Sequence, residues 1–209
     1  MAVDYEHDVF ISYKRSPIQN EWLRQHFVRL FSEFVRDEII AECQRAPGSI
    51  FFDESQLSEE AREFDLTGIE PGQNWRNELK VALKTSRCLV ALWSPGYFLS
   101  PWCKAEWETF QMRSIQEGKG LVVGVSVHDG KSFPQDAKAI QYMDLSPYKI
   151  IGAGFTASLK YVDFQEKVQA LAHYVAKAVK QAPAFADWPV VDSSPAPTQP
   201  APDLALQRL

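Results

Sequence analysis

Short runs of apolar residues that do not alternate with polar ones are separated along this chain by longer amphipathic stretches. The segments 88–93 (CLVALW) and 121–127 (LVVGVSV) are apolar at nearly every position. Such runs are typical of strands covered on both faces, as in parallel sheets. Shorter strand candidates lie at 7–13 (HDVFISY), 49–52 (SIFF) and 141–145 (QYMDL). The pattern therefore predicts a five-stranded parallel sheet.

Helices are predicted in the stretches between these strands. Apolar residues recur at helical spacing over 21–35 and 74–86, and Ser100 followed by Pro101 is a typical start for a helix over 101–116. A last apolar stripe consists of Phe164, Val168, Leu171, Val175 and Val179. Strands that alternate with helices predict an α/β fold of the doubly wound type, with helices on both faces. Ligands bind such sheets at the carboxyl ends of the strands, near the point where strand order reverses.

The end of the chain differs in composition from the rest. Residues 183–209 contain Pro183, Pro189, Pro195, Pro197, Pro200 and Pro202, beside Ser, Ala, Thr and Gln. This composition is typical of linkers and disordered tails. We therefore expect a folded domain over 1–182 and a Pro/Ala-rich disordered tail over 183–209, or a linker to a further module.

Charge and cysteine content limit the classes of function. Lys and Arg number 22 against 27 Asp and Glu, for a net charge of -5. This balance argues against direct nucleic-acid binding and against a polybasic membrane module. The three cysteines have no zinc spacing, so they predict reduced thiols and no metal site. Because the N-terminus is acidic and no apolar run approaches the roughly 20 residues of a membrane span, we expect a cytoplasmic location.

The segment 86–110 combines a buried strand, a Pro-Gly turn and a helix that opens with Ser-Pro-Trp-Cys-Lys-Ala-Glu at 100–106. At this point the sequence resembles the TIR (Toll/interleukin-1 receptor) domain family. Further motifs of the resemblance are HDVFISYKR at 7–15, FFD at 51–53 and the Pro-Gly at 71–72 ahead of Trp75. The resemblance covers about residues 5–180. It implies the flavodoxin-like TIR fold.

Bacterial and plant TIR domains that this chain resembles cleave the nicotinamide–ribose bond of NAD+. The resemblance implies that Glu106 is the catalytic carboxylate and that Trp102, one helical turn earlier, positions the bases. A fixed carboxylate suits this reaction, because departure of nicotinamide leaves a ribose with oxocarbenium character. Nicotinamide leaves as a neutral molecule, so a general acid is not required. NAD+ is then the substrate, no cofactor is implied, and the products are nicotinamide with ADP-ribose or a cyclic isomer.

Further substrate contacts are expected where the first strand ends. By analogy with the family, Ser12, Tyr13, Lys14 and Arg15 would reach the ribose and the diphosphate. Lys14 and Arg15 offer cations to phosphate in an otherwise acidic protein, and simple solvation is the alternative for both. Two aromatic residues are expected in the wall of the cleft or, alternatively, in the core: Phe10 and Trp75.

The connection after strand 49–52 is longer and more acidic than the usual loop of the family. It contains Glu54, Glu59, Glu60, Glu63, Asp65 and Glu70. This loop usually mediates contacts between TIR domains, so the resemblance implies self-association through residues 54–73. A solvated acidic loop without a partner is the alternative.

Several functions are compatible with these residues. The retained Glu106 and Trp102 favour an NAD+ glycohydrolase or cyclase that self-assembly activates, in bacterial antiviral defence. Many TIR domains are instead non-enzymatic adaptors, and others bind host immune adaptors, so a scaffold or a host-subverting module is the alternative. A third class with a similar fold is a relative of the nucleoside deoxyribosyltransferases, which would transfer a nucleobase and leave NAD+ untouched.

Overall fold

The computed structural model describes residues 4–53, 66–69 and 72–192. The strands are β1 His7–Tyr13, β2 Ser49–Phe52, β3 Leu66–Thr67, β4 Ser86–Trp93, β5 Val122–Ser126 and β6 Tyr142–Asp144. They form one sheet in the order β3-β2-β1-β4-β5-β6, and each adjacent pair is parallel. This arrangement confirms the predicted α/β class and the parallel sheet.

Helices connect the strands. Helix α1 (Pro17–Trp22) passes through a π-helical turn, Leu23–Phe27, into α2 (Val28–Cys43). The other described helices are α3 Trp75–Thr85, α4 Pro95–Leu99, α5 Pro101–Glu117, α6 Gln135–Lys138, a 3-10 turn at Ser146–Tyr148, α7 Ala153–Thr156 and α8 Leu159–Gln181. Ser100 caps α5, since its Oγ accepts a hydrogen bond from the Cys103 amide at 3.4 Å. The predicted start of this helix is confirmed.

The sheet separates two apolar layers. One layer contains α1, α2 and α8, which pack on the side chains of Val9, Ile11 and Tyr13 of β1. The other contains α3, α4 and α5, which share a buried cluster with Phe10. Because side chains of a strand alternate between faces, Ser12 lies on the same face of β1 as Phe10. A polar residue of the first strand thus faces the layer of α3, α4 and α5.

The sheet has six strands where the sequence predicts five. The additional strand, β3, pairs Leu66 with Ile50 and Thr67 with Phe51. A strand of two residues is too short to carry a polarity pattern, so periodicity could not reveal it. It lies at the edge of the sheet, inside the acidic connection.

Helices α1 and α2 together extend beyond the helix predicted over 21–35. Ser16 provides the earlier start, because its Oγ accepts a hydrogen bond from the Gln19 amide at 3.3 Å and Pro17 follows at the first helical position. The later end comes at Gln44, which adopts a left-handed conformation with φ of 53°.

The described part of the predicted tail packs against the domain. Trp188 is only 5% exposed, and its ring lies 5.0 Å from the guanidinium of Arg113 in α5. The Val191 amide donates a hydrogen bond to Thr109 Oγ1, also in α5, at 3.0 Å. Burial of an aromatic side chain stabilises this attachment. The rest of the tail, 193–209, lies outside the described residues, as does most of the predicted interface loop.

Candidate active site

A cavity of about 410 Å³ lies at the carboxyl ends of β1 and β2, beside α3 and α5. The order of strands reverses between β1 and β4, because the chain proceeds from β1 to β2 and β3 on one side and returns to β4 on the other. The cavity is therefore where a doubly wound sheet binds ligands. Its wall includes Tyr13, Lys14, Arg15, Asp53, Trp102, Cys103 and Glu106.

A somewhat larger groove, of about 470 Å³, lies between β6 and α8. None of the described residues that line it is a buried titratable side chain. Catalytic sites concentrate titratable groups with perturbed pKa values in clefts, so the smaller cavity is the better candidate.

Glu106 is the buried carboxyl group of this cavity. It lies on α5, is 7% exposed, and accepts a hydrogen bond at Oε2 from the Ser12 hydroxyl at 2.5 Å. Burial raises the pKa of Glu106 to about 8, although the Ser12 hydrogen bond opposes this increase. The charge of Asp53 adds to the increase and that of Arg15 counteracts it. A carboxyl group with this pKa is ionised only in part at neutral pH.

Two tryptophans form an aromatic wall at the cavity. Trp75 begins α3, and Trp102 lies in the first turn of α5; their ring centroids are 4.7 Å apart. The guanidinium of Arg76 lies 5.6 Å from the Trp102 ring centroid and 5.7 Å from that of Trp75. Trp75 is 44% exposed and lines the cavity. Of its two predicted locations, the cleft and the core, it therefore lies in the cleft.

The basic residues at the end of β1 have different surroundings. Arg15 Nη2 contacts Asp53 Oδ1 at 2.9 Å and donates a hydrogen bond to the Asp53 carbonyl at 2.8 Å. Tyr13 donates to the same carbonyl at 3.2 Å. Lys14 lines the cavity and forms no ion pair with any carboxylate that the structure describes. Lys14 is therefore the cation best placed to meet an anionic ligand.

Phe10 and Ser12 lie behind the cavity. Phe10 is 1% exposed and stacks on Phe51 with ring centroids 4.9 Å apart. Of its two predicted locations, the cleft wall and the core, it therefore lies in the core. Ser12 is also 1% exposed, and its hydroxyl contacts Glu106 and Tyr97. Neither is part of the described cavity wall. The structure thus brings Ser12 to the predicted carboxylate, although not to the cavity surface.

Two polar residues of this region were not among the sequence candidates. Asp53 follows β2 at its carboxyl end, and burial raises the pKa of its carboxyl group while Arg15 lowers it. Tyr97 lies on α4, directly after β4, and is fully buried. The rule that ligands meet the carboxyl ends of parallel strands, extended to β2 and β4, could have identified both.

Cys103 also lines the cavity, one turn before Glu106. Burial and the nearby Glu106 charge raise the pKa of its thiol to about 12. Since the thiolate is the nucleophilic form, Cys103 is not an activated nucleophile at neutral pH. Glu106 remains the group in this cavity that titrates near neutrality.

The fold and the site define a doubly wound α/β domain with a buried carboxyl group at its switch point. The sequence model of the TIR domain family matches residues 54–174. The chain therefore belongs to the TIR domain family. The matched range contains Trp75, Trp102 and Glu106, and β1 precedes it. The search of curated proteins found no match.

No helix in the described part of the chain is both long and apolar enough to cross a lipid bilayer.

Proposed function

We propose that this TIR domain cleaves the nicotinamide–ribose bond of NAD+, as an NAD+ nucleosidase or ADP-ribosyl cyclase. The observation that carries the proposal is the position of Glu106, a buried carboxyl group at the switch-point cavity beside Trp75 and Trp102. Charged residues are rarely buried without a functional or structural requirement. This carboxyl group has no cationic partner within salt-bridge distance among the described residues, which favours a functional role.

In the proposed reaction, the bond between ribose C1′ and the nicotinamide nitrogen breaks. The bonding electron pair leaves with nicotinamide, which becomes neutral, and positive charge develops on the ribose. The carboxylate of Glu106, which is only 7% exposed, would stabilise that charge. Addition of water at C1′, with loss of a proton, yields ADP-ribose; attack by an adenine nitrogen of the same molecule yields a cyclic product.

Substrate charge also favours the active form of Glu106. The nicotinamide ring of NAD+ is cationic, and a nearby positive charge lowers the pKa of a carboxyl group. Binding of NAD+ would therefore promote ionisation of Glu106, whose pKa is about 8 without substrate. Trp75 and Trp102 offer flat apolar surfaces for a base, and Lys14 offers a charge for the diphosphate.

The proposal includes activation by self-association. TIR domains typically self-associate, and the interface segment 54–73 that the resemblance implies begins directly after Asp53, a residue of the cavity wall. In this proposal a second copy of the chain binds through that segment and activates cleavage. A role in bacterial antiviral defence, with depletion of NAD+ or release of a cyclic signal, is consistent with such an enzyme.

The test is chromatographic separation of products after incubation of NAD+ with concentrated protein, with and without a crowding agent. Wild type is compared with Glu106→Gln and with the control Glu108→Gln, a partly exposed glutamate of the same helix. We expect nicotinamide release to fall by about 100-fold or more in Glu106→Gln and to persist in Glu108→Gln, because loss of one charge-stabilising group typically has this effect. Equal turnover by wild type and Glu106→Gln would contradict the proposal. Absence of turnover by wild type under assembling conditions would favour the adaptor function.

A further inference from the structure

Three buried polar groups from different elements form a continuous hydrogen-bonded chain behind the cavity. Ser12 Oγ, on β1, lies 2.5 Å from Glu106 Oε2, on α5, and 2.8 Å from the hydroxyl oxygen of Tyr97, on α4. Tyr97 is fully buried and Ser12 is 1% exposed. Neither hydroxyl belongs to the described cavity wall, so their arrangement serves the carboxyl group rather than a ligand.

The direction of this chain follows from the number of protons. When Glu106 is ionised, Ser12 donates its one hydroxyl proton to the carboxylate. Tyr97 must then donate to Ser12, and burial keeps its proton in place by raising its pKa well above the ordinary value. Each hydroxyl is thus oriented towards the negative charge. Successive hydrogen bonds polarise one another. The hydrogen bond from Tyr97 to Ser12 therefore strengthens the hydrogen bond from Ser12 to Glu106.

The other described titratable groups near Glu106 do not donate a hydrogen bond to its carboxylate. Arg15 favours ionisation of Glu106 and Asp53 opposes it, but these two side chains also contact each other at 2.9 Å. Cys103, on the same helix, stays protonated because its pKa is about 12. Direct hydrogen bonding to the Glu106 carboxylate therefore comes from Ser12, with Tyr97 behind it, among the residues described.

We propose that Ser12 and Tyr97 are positioning residues that orient the Glu106 carboxylate and stabilise its ionised form. The expected effect on kinetics rests on the proposed NAD+ cleavage. The expected effect on the pKa of the Glu106 carboxyl group does not. It also assigns Ser12 a role different from the ribose contact that the family resemblance implied.

The kinetic test is the pH dependence of kcat/KM for NAD+ in wild type, Ser12→Ala and Tyr97→Phe. Because kcat/KM reports groups of the free enzyme, its rise with pH should be centred near 8 in wild type. Loss of the direct donor should shift the midpoint upward by about one pH unit in Ser12→Ala, a tenfold change in ionisation constant. Tyr97→Phe, which keeps the ring, should shift it upward by about half as much. Ser32→Ala removes a buried hydroxyl of α2, which packs on the opposite face of the sheet from α5, and should leave the midpoint unchanged.

A second readout does not require turnover. Titration of the Glu106 carboxyl carbon by NMR, in protein labelled at glutamate and assigned by comparison with Glu106→Gln, should show the same order of shifts. If wild type never cleaves NAD+ but these shifts appear, the proposed function fails and the positioning role stands. An unchanged midpoint in Ser12→Ala and Tyr97→Phe would overturn the inference, as would an increase in KM for Ser12→Ala without a change in the pH profile.

Discussion

At the scale of single residues, two buried carboxyl groups of this domain have opposite surroundings. Asp8, at the amino end of β1, contacts the guanidinium groups of Arg45 and Arg87 and accepts the Gly48 amide at 2.5 Å. Glu106 receives the Ser12 hydroxyl and has no comparable cationic partner within reach in the described residues. The first arrangement satisfies a buried charge, whereas the second keeps the carboxyl group partly protonated. A buried carboxyl group whose charge is not balanced by a cationic partner is typical of active sites.

The raised pKa of Glu106 predicts a specific dependence of stability on pH. Because its folded-state pKa of about 8 exceeds the ordinary value of 4.5, its contribution to stability is complete below pH 4.5 and is lost as pH rises through 8. Glu106→Gln removes this dependence. Between pH 6 and pH 9 we expect wild type to lose about 3 kcal/mol more of its free energy of unfolding than Glu106→Gln.

Urea denaturation at the two pH values measures this difference, and Glu108→Gln provides a control on the same helix. Parallel pH dependence in wild type and Glu106→Gln would mean that Glu106 is ionised in the folded protein already at pH 6.

At the scale of elements, one face of α5 links the candidate site to the end of the described chain. Trp102 and Glu106 lie towards its amino end, and Thr109 and Arg113 continue the same face at steps of three and four residues. Thr109 binds the Val191 amide, and Arg113 donates to the carbonyl of Ser86 at 2.8 Å. Polar contacts at Glu106, Thr109 and Arg113 therefore hold the face of the helix that carries the carboxyl group.

Strand β5 requires a residue without a side chain at position 124, where Gly124 lies. The indole of Trp93, on β4, lies so close that a Cβ added at Gly124 would be 2.5 Å from the ring. Trp93 is fully buried and cannot move freely. We expect Gly124→Ala to lower the free energy of unfolding by about 1–3 kcal/mol, as overpacking of a core does.

Chemical denaturation tests this expectation, with Gly120→Ala as the matched control. Gly120 has no atom within 4 Å of an added Cβ among its described surroundings, and its φ is not positive. Equal stability of the two variants would show that the Trp93 ring can rearrange without cost.

At the scale of the whole molecule, the segment after α8 completes the apolar layer of α3 and α5. The Trp188 indole donates a hydrogen bond to the Tyr5 hydroxyl at 3.2 Å, and Lys84 of α3 contacts Asp187 at 2.8 Å. Residues near both ends of the described chain thus meet on one face of the domain. A domain that ended at residue 182 would lack this cover over Arg113.

Loss of the Trp188 side chain should therefore destabilise the whole domain. We expect Trp188→Ala to lower the free energy of unfolding by about 3 kcal/mol, because truncation of a buried aromatic residue leaves a cavity. The control is Leu159→Ala, since Leu159 is 88% exposed. If the two variants unfold at the same urea concentration, the segment 183–192 contributes no stability to the domain.

Local patterns in the sequence were sufficient for much of this fold. Strands β1 and β2 lie where polarity predicted them, at His7–Tyr13 and Ser49–Phe52, and the Ser100 cap begins α5 as expected. These features depend on neighbouring residues, so they can be recognised along the chain. The two-residue strand β3 has no such local signal, because only its pairing with β2 defines it.

The sequence by itself determined the α/β class and the family resemblance, which implied Glu106 and Trp102 as site residues, since a motif on one helix is a local property. Only the tertiary structure decided that Ser12 supports Glu106 from behind and that Phe10 belongs to the core. It also decided that Trp188, within a proline-rich segment, is buried. These outcomes depend on which residues distant in sequence become neighbours, and burial and pKa values follow from those neighbours rather than from composition.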